Sequence, residues 1–135
     1  MSEANVEVVR RAIAAGFVSD PPDVETLCEL LDPDHVLTSN WGVDTAEHHG
    51  VQGLLDAIAE MAAAWDPWEQ EVERIIDAGQ DCVVGLLRLN AQGRESGVPV
   101  QFPWAMVVTL RGGRMATSRV FLDQGQALKA VDLEE

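Results

Sequence analysis

The chain has 135 residues, 47% of them apolar and 24% charged, which suffices for one hydrophobic core without disulfides or metals. Its 9 Lys and Arg against 23 Asp and Glu leave a net charge of −14, which repels phosphate backbones and anionic membranes and excludes neither small molecules nor protein partners. No apolar run reaches membrane-spanning length and the first residues lack a signal-peptide pattern, so a soluble, cytoplasmic protein of one domain, 1–135, is expected, with no nucleic acid and no membrane as partner.

Val6, Val9, Ile13 and Phe17 recur at helical spacing and predict a first helix, which Ser19-Asp20-Pro21-Pro22 stops. Leu27, Leu30 and Leu31 give a second helix over about 24–31, ended by Asp32-Pro33-Asp34, and His35–Thr38 fits a short strand. Ser39–Gly50 has no apolar period and reads as a loop; with Trp41, His48 and His49 it is a candidate pocket rim. Leu54, Ile58, Met61 and Trp65 form the core stripe of a third helix, terminated at Asp66-Pro67. Strands follow over 68–76, 81–92, 98–110 and 115–123. The last two are joined by Arg111-Gly112-Gly113-Arg114, a hairpin signal, and a short helix over 124–131 closes the chain. Three helices and then a meander of strands predict an α+β layout.

Period-2 alternation puts Phe102, Trp104, Met106, Val108 and Leu110 on one face of the penultimate strand. The same reading puts Met115, Thr117, Arg119, Phe121 and Asp123 on one face of the last, so that two charged side chains join an apolar stripe. Ala105, Val107, Val120 and Leu122 then point the other way. A sheet apolar on both faces needs a second cover, and a homodimer through the outer sheet face is expected.

Trp41, Trp104, Met106, Arg119 and Phe121 are candidate ligand contacts, with His49 at the mouth as a candidate acid or base; exposed loop histidine and core packing are the structural alternatives. Arg88 and Asn90 share a strand face with Val84 and Leu86. His48 and His49 are adjacent, and His35 is far away, so no metal site is expected. No phosphate loop or dinucleotide fingerprint appears, and no cofactor is expected. Cys28 and Cys82 stand in apolar contexts and read as buried reduced thiols.

In its order of signals the chain resembles the SnoaL-like branch of the nuclear transport factor two-like superfamily. The matching stretches are Asn5–Arg11, Leu30–Asp34, Gly50, Ile76–Gly79, Gly93–Gly97, Thr109–Met115 and Val120–Asp123. The resemblance implies a curved, mixed sheet wrapped around three helices as a cone with a pocket at its open end. It also implies acid–base work for the carboxylate at Asp123, which could instead cap the final helix. Epoxide hydrolases of the superfamily carry an Arg and an Asp two apart on a strand; here Arg88-Leu89-Asn90 has an amide that cannot accept a proton. The chain has no Tyr, so the tyrosine oxyanion donor of the superfamily's ketosteroid isomerases is missing. Two expectations stand side by side. One is a cyclase, isomerase or hydratase/hydrolase using Asp123, with Arg88 as oxyanion stabiliser and Asn90 positioning water. The other is a ligand-binding or dimeric assembly module without turnover.

Overall fold

The last hairpin sets the geometry of the whole sheet. Gly112 and Gly113 adopt φ of 61° and 79°, the positive values a two-residue turn of the primed type requires. They connect β5 (Pro99–Arg111) to β6 (Arg114–Phe121). This computed structural model describes residues 2–18, 21–39 and 46–131.

Six strands form one sheet in the order β2-β1-β6-β5-β4-β3, with β1 Leu31–Ser39, β2 Ala46–His49, β3 Trp65–Gly79 and β4 Cys82–Gly93. All neighbours are antiparallel except β1 and β6, which run parallel, so the sheet is mixed. The helices are α1 (Ser2–Ile13, continued by a π-helical turn over Ala14–Val18), α2 (Val24–Leu30), α3 (Gly50–Ala64) and α4 (Gln124–Ala130). The first three lie on the inner face of the sheet, which gives the cone-shaped α+β fold expected from the sequence.

The inner core joins Val9, Ile13 and Phe17 of the first helix and its π turn to Leu27, Leu54 and Ile58, and to Val83, Leu87, Leu89, Trp104, Met106 and Val108 of the sheet. Burying such side chains stabilises by about 1.5–3 kcal/mol each before conformational entropy is subtracted. Asp23 caps α2, accepting from the Thr26 amide at 3.2 Å and from its hydroxyl at 2.8 Å. That hydroxyl bond, then the amide bond, holds the Asp23 carboxyl below its ordinary pKa.

Two expectations change. The stretch read as a loop contains β2, which pairs Ala46–His49 with Val36–Ser39; its apolar period is invisible because it is a four-residue edge strand. Cys28 is exposed and Cys82 half-buried, and both are free thiols. The outer apolar stripe of Val84, Leu86, Ala105 and Val107 is covered by Ala127 and Leu128 of this chain's own α4. Among the described residues no helix is long and apolar enough to cross a membrane.

Candidate functional site

A cavity of about 320 Å³ opens where the C-terminal ends of β1 and β6 meet the start of β5 and the last turns of α3. Its wall is mostly apolar: Phe17, Leu37, Trp65, Leu89, Phe102, Trp104, Val120 and Leu122, with Ala57 and Ala64. Its polar side chains are Ser39, His48 and Glu60. That composition, apolar with a few polar groups, is typical of small-molecule pockets.

Each wall follows from local chemistry. On β1 the odd residues Leu31, His35, Leu37 and Ser39 are buried, so Leu37 and Ser39 reach the cavity from one strand face. On α3, Ala57, Glu60 and Ala64 are three and four apart and share a helix face beside the core stripe. The small side chains of Ala57 and Ala64 leave the room that a Leu would fill. His48 is placed by a close approach: a Cβ on Gly53 would stand 2.6 Å from the His48 carbonyl carbon, so only glycine lets α3 lie this near β2.

Trp104 is the best-fixed member of the wall. Its ring is 1% exposed, its Nε1–H donates to Gln70 Oε1 at 2.9 Å, and Phe17 meets it edge-on with centroids 5.6 Å apart. Such a pair adds about 0.5–1.5 kcal/mol beyond area burial.

The remaining expected site residues lie elsewhere. Met106 faces the same side as Trp104 but is 2% exposed in the core, outside the lining. His49 points outward, 70% exposed and 3.4 Å from Glu47, while its neighbour His48 faces the cavity. Trp41 lies outside the described residues.

Arg119 and Phe121 are on the outer face, not the pocket stripe. The pairing shifts between Thr109–Thr117 and Leu110–Met115, so Ala116 is an extra residue and every later side chain of β6 changes face. Ser118 and Val120 therefore turn inward and Leu122 reaches the cavity, while the Arg119 guanidinium stands 5.0 Å from the Phe121 ring centroid.

Arg88 and Asn90 do share a face with Val84 and Leu86, and it is the outer one, because Val83, Leu87, Leu89 and Ala91 take the helix side. There Arg88 donates to Glu73 at 3.1 Å and to Gln101 at 3.4 Å, and Asn90 donates to Glu71 at 3.1 Å and accepts from Gln101. A hydrogen bond from Gln124, then that from Arg88, keeps the Glu73 carboxyl below its ordinary pKa.

Asp123 is exposed and is the N-cap of α4, accepting from the amides of Gly125 at 2.8 Å and Gln126 at 3.2 Å. It is not part of the cavity lining. The three residues expected to do chemistry thus sit on the side of the sheet away from the pocket or beyond its edge.

Sequence reasoning named His48 only as one of two rim histidines and missed Glu60, Trp65, Phe17 and Phe102 as lining residues. The faint signal for the first two was a histidine in an irregular stretch and a Glu between alanines at helical spacing. A second depression, about 440 Å³, lies beyond Phe17; its Asp66 and Arg94 are paired at 3.3 Å. Among the described residues no three His, Cys, Asp or Glu side chains are grouped to hold a metal ion.

The family model described as "SnoaL-like domain" matches residues 9–118. The chain belongs to this family. Solved structures agree at the level of the fold. A candidate SnoaL-like polyketide cyclase from Jannaschia sp. CCS1 is 20% identical, with 99% of this chain and 95% of that one covered at a TM-score of 0.78. TerC, co-crystallised with polyporic acid, is 15% identical over 96% of this chain and 98% of its own, TM-score 0.73. A protein with a ketosteroid isomerase-like fold from Catenulispora acidiphila, in complex with trimethylamine, is 16% identical over 95% of this chain and 94% of its own, TM-score 0.69. No curated protein matches the SnoaL-like chain.

Proposed function

We propose that this SnoaL-like protein binds a small, largely apolar organic molecule in the cavity between α3 and the β1–β6–β5 wall. The observation that carries the reading is the lining itself: four aromatic rings and a buried aliphatic wall around about 320 Å³, with Ser39, His48 and Glu60 as its polar groups. Relatives of the same fold hold polyporic acid or trimethylamine, which is consistent with a ligand-holding role.

A second reading, acid–base turnover, is favoured by His48 and Glu60 lining one cavity. In that case these two move the proton, since Asp123 accepts two helix amides outside the lining. The imidazole would abstract a proton from the bound molecule and Glu60 would assist at the mouth.

Binding is tested with Ala57→Phe, which fills the space from α3. A panel of aromatic and alicyclic compounds, followed by amide chemical shifts, should perturb Leu37, Leu89 and Val120 in the wild type and leave them unmoved in the variant. Equal shifts in both proteins would refute the site. For turnover, His48→Gln should lower the rate at least 100-fold while binding persists.

A further inference from the structure

We propose that the cavity selects a cationic ligand, an ammonium or quaternary ammonium group carried on an apolar body. This rests on the cavity being the ligand site and names the class of molecule that fits it.

The argument is one of charge placement. The chain has nine Lys and Arg, and none of them lines the cavity. Arg10, Arg11, Arg88, Arg94 and Arg111 pair with Glu7, Glu29, Glu73, Asp66 and Asp32 respectively, and Arg119 lies over Phe121. The one formally charged side chain of the described lining is the Glu60 carboxylate, at the mouth on α3. No described residue forms an ion pair with it.

Phe17, Trp65, Phe102 and Trp104 line the same cavity as Glu60. Aromatic faces attract cations through their quadrupole, Trp most strongly, and a desolvated cation–π contact is worth severalfold in affinity. An anionic ligand entering the same space meets a carboxylate, no Lys or Arg beside the His48 imidazole, and a chain of net charge −14. A neutral ligand gains only the apolar contacts. The arrangement therefore ranks cation above neutral above anion, the reverse of the order that inward-facing Arg88 and Arg119 would give.

The test uses three probes of nearly one shape: phenyltrimethylammonium, its neutral isostere tert-butylbenzene, and benzenesulfonate. Their affinities are measured by amide shifts at pH 8 and 150 mM salt for wild type, Glu60→Gln and Ala57→Phe. Glu60 is exposed, so its amide variant should fold normally. The expected result is phenyltrimethylammonium bound at least five times more tightly than tert-butylbenzene, benzenesulfonate weakest, the advantage falling by at least half in Glu60→Gln, and all binding lost in Ala57→Phe. If tert-butylbenzene binds as well as the cation or better, and Ala57→Phe abolishes it, cation selectivity is overturned and the apolar site stands. Cation binding that survives Ala57→Phe would mean attraction to the acidic surface alone and would overturn the proposal. If no probe shifts the lining amides, both the selectivity and the site fail.

Discussion

His35 Nε2 and Ser118 Oγ meet at 2.9 Å across the parallel β1–β6 junction, both residues at most 1% exposed. His35 Nδ1 is also buried and has no partner among the described residues. This geometry selects a tautomer. With the proton on Nε2, the ring donates to Ser118 and Nδ1 keeps a bare lone pair; the other choice buries an unpaired N–H, which is costlier. Burial, opposed weakly by the Asp32 charge, pushes the His35 pKa from 6.5 down to about 4.

The sign of the linkage follows. The unfolded chain takes up a proton on this histidine near pH 6.5 and the folded chain does so only near 4, so the unfolded state binds more protons in between. The contribution is fully present above pH 6.5 and is lost as pH falls towards 4. A full shift of this size corresponds to roughly 3 kcal/mol. Urea melts at pH 7.5 and 4.5 should show wild type losing more stability than His35→Leu across that window. Parallel losses would mean that His35 is protonated in the fold. Ser118→Ala should cost about 1–3 kcal/mol at pH 7.5 by leaving the ring N–H unpaired.

Asp123 separates a cap from a catalyst. Its carboxylate accepts two amides at the start of α4, and Asn is as good a cap as Asp while Ala is not. Asp123→Ala should therefore lower stability by about 1 kcal/mol and Asp123→Asn by only a few tenths. Neither should change ligand affinity, because Asp123 does not line the cavity. Loss of binding in Asp123→Asn with an unchanged melting temperature would give the carboxylate a role at the site.

Arg88 is expected to behave as a surface strut. Its pair with Glu73 is about one-third exposed on both sides, and solvent screening keeps such pairs below about 1 kcal/mol. Arg88→Met should leave cavity ligands bound with wild-type affinity in titrations followed at Leu89 and Val120. A tenfold loss would place the guanidinium in contact with the ligand.

The architecture was legible in the sequence because its signals are long and periodic: the Val9–Ile13–Phe17 stripe, the Leu54–Ile58 stripe, and the Gly112-Gly113 turn between two apolar runs. Of the expected ligand contacts among the described residues, Trp104 alone lines the cavity. Two local events hid the rest. Ala116 inserts one residue into β6, and a period of two carries that slip to Arg119, Phe121 and Leu122, so the charged residues assigned to the pocket exchange faces with apolar ones. On β4 the grouping of Arg88 and Asn90 with Val84 and Leu86 was correct, but alternation alone does not say which face the helices cover when both are apolar. Pairing of β1 with β6, residues some eighty apart in sequence, decides where the cavity opens, and that is a non-local fact.

Gly53 offers the most direct handle on His48. Any Cβ there would lie 2.6 Å from the His48 carbonyl carbon, a distance that real side chains do not tolerate, and 3.0 Å from its Cβ. The obstructing atoms are backbone of β2, so relief requires α3 or β2 to move as a unit. Gly53 is helical, and Ala alone would favour the helix by about 1 kcal/mol; the overlap should outweigh this and give a net loss of about 1–3 kcal/mol. Because β2 pairs with β1 through Leu37–His48, the displacement should also reach the cavity wall. Gly53→Ala is expected to weaken cavity ligands at least tenfold, with amide shifts at Leu37 and Ser39 in the free protein. A variant with higher stability and unchanged affinity would show that β2 yields freely and that the helix–strand contact does not hold His48 in place.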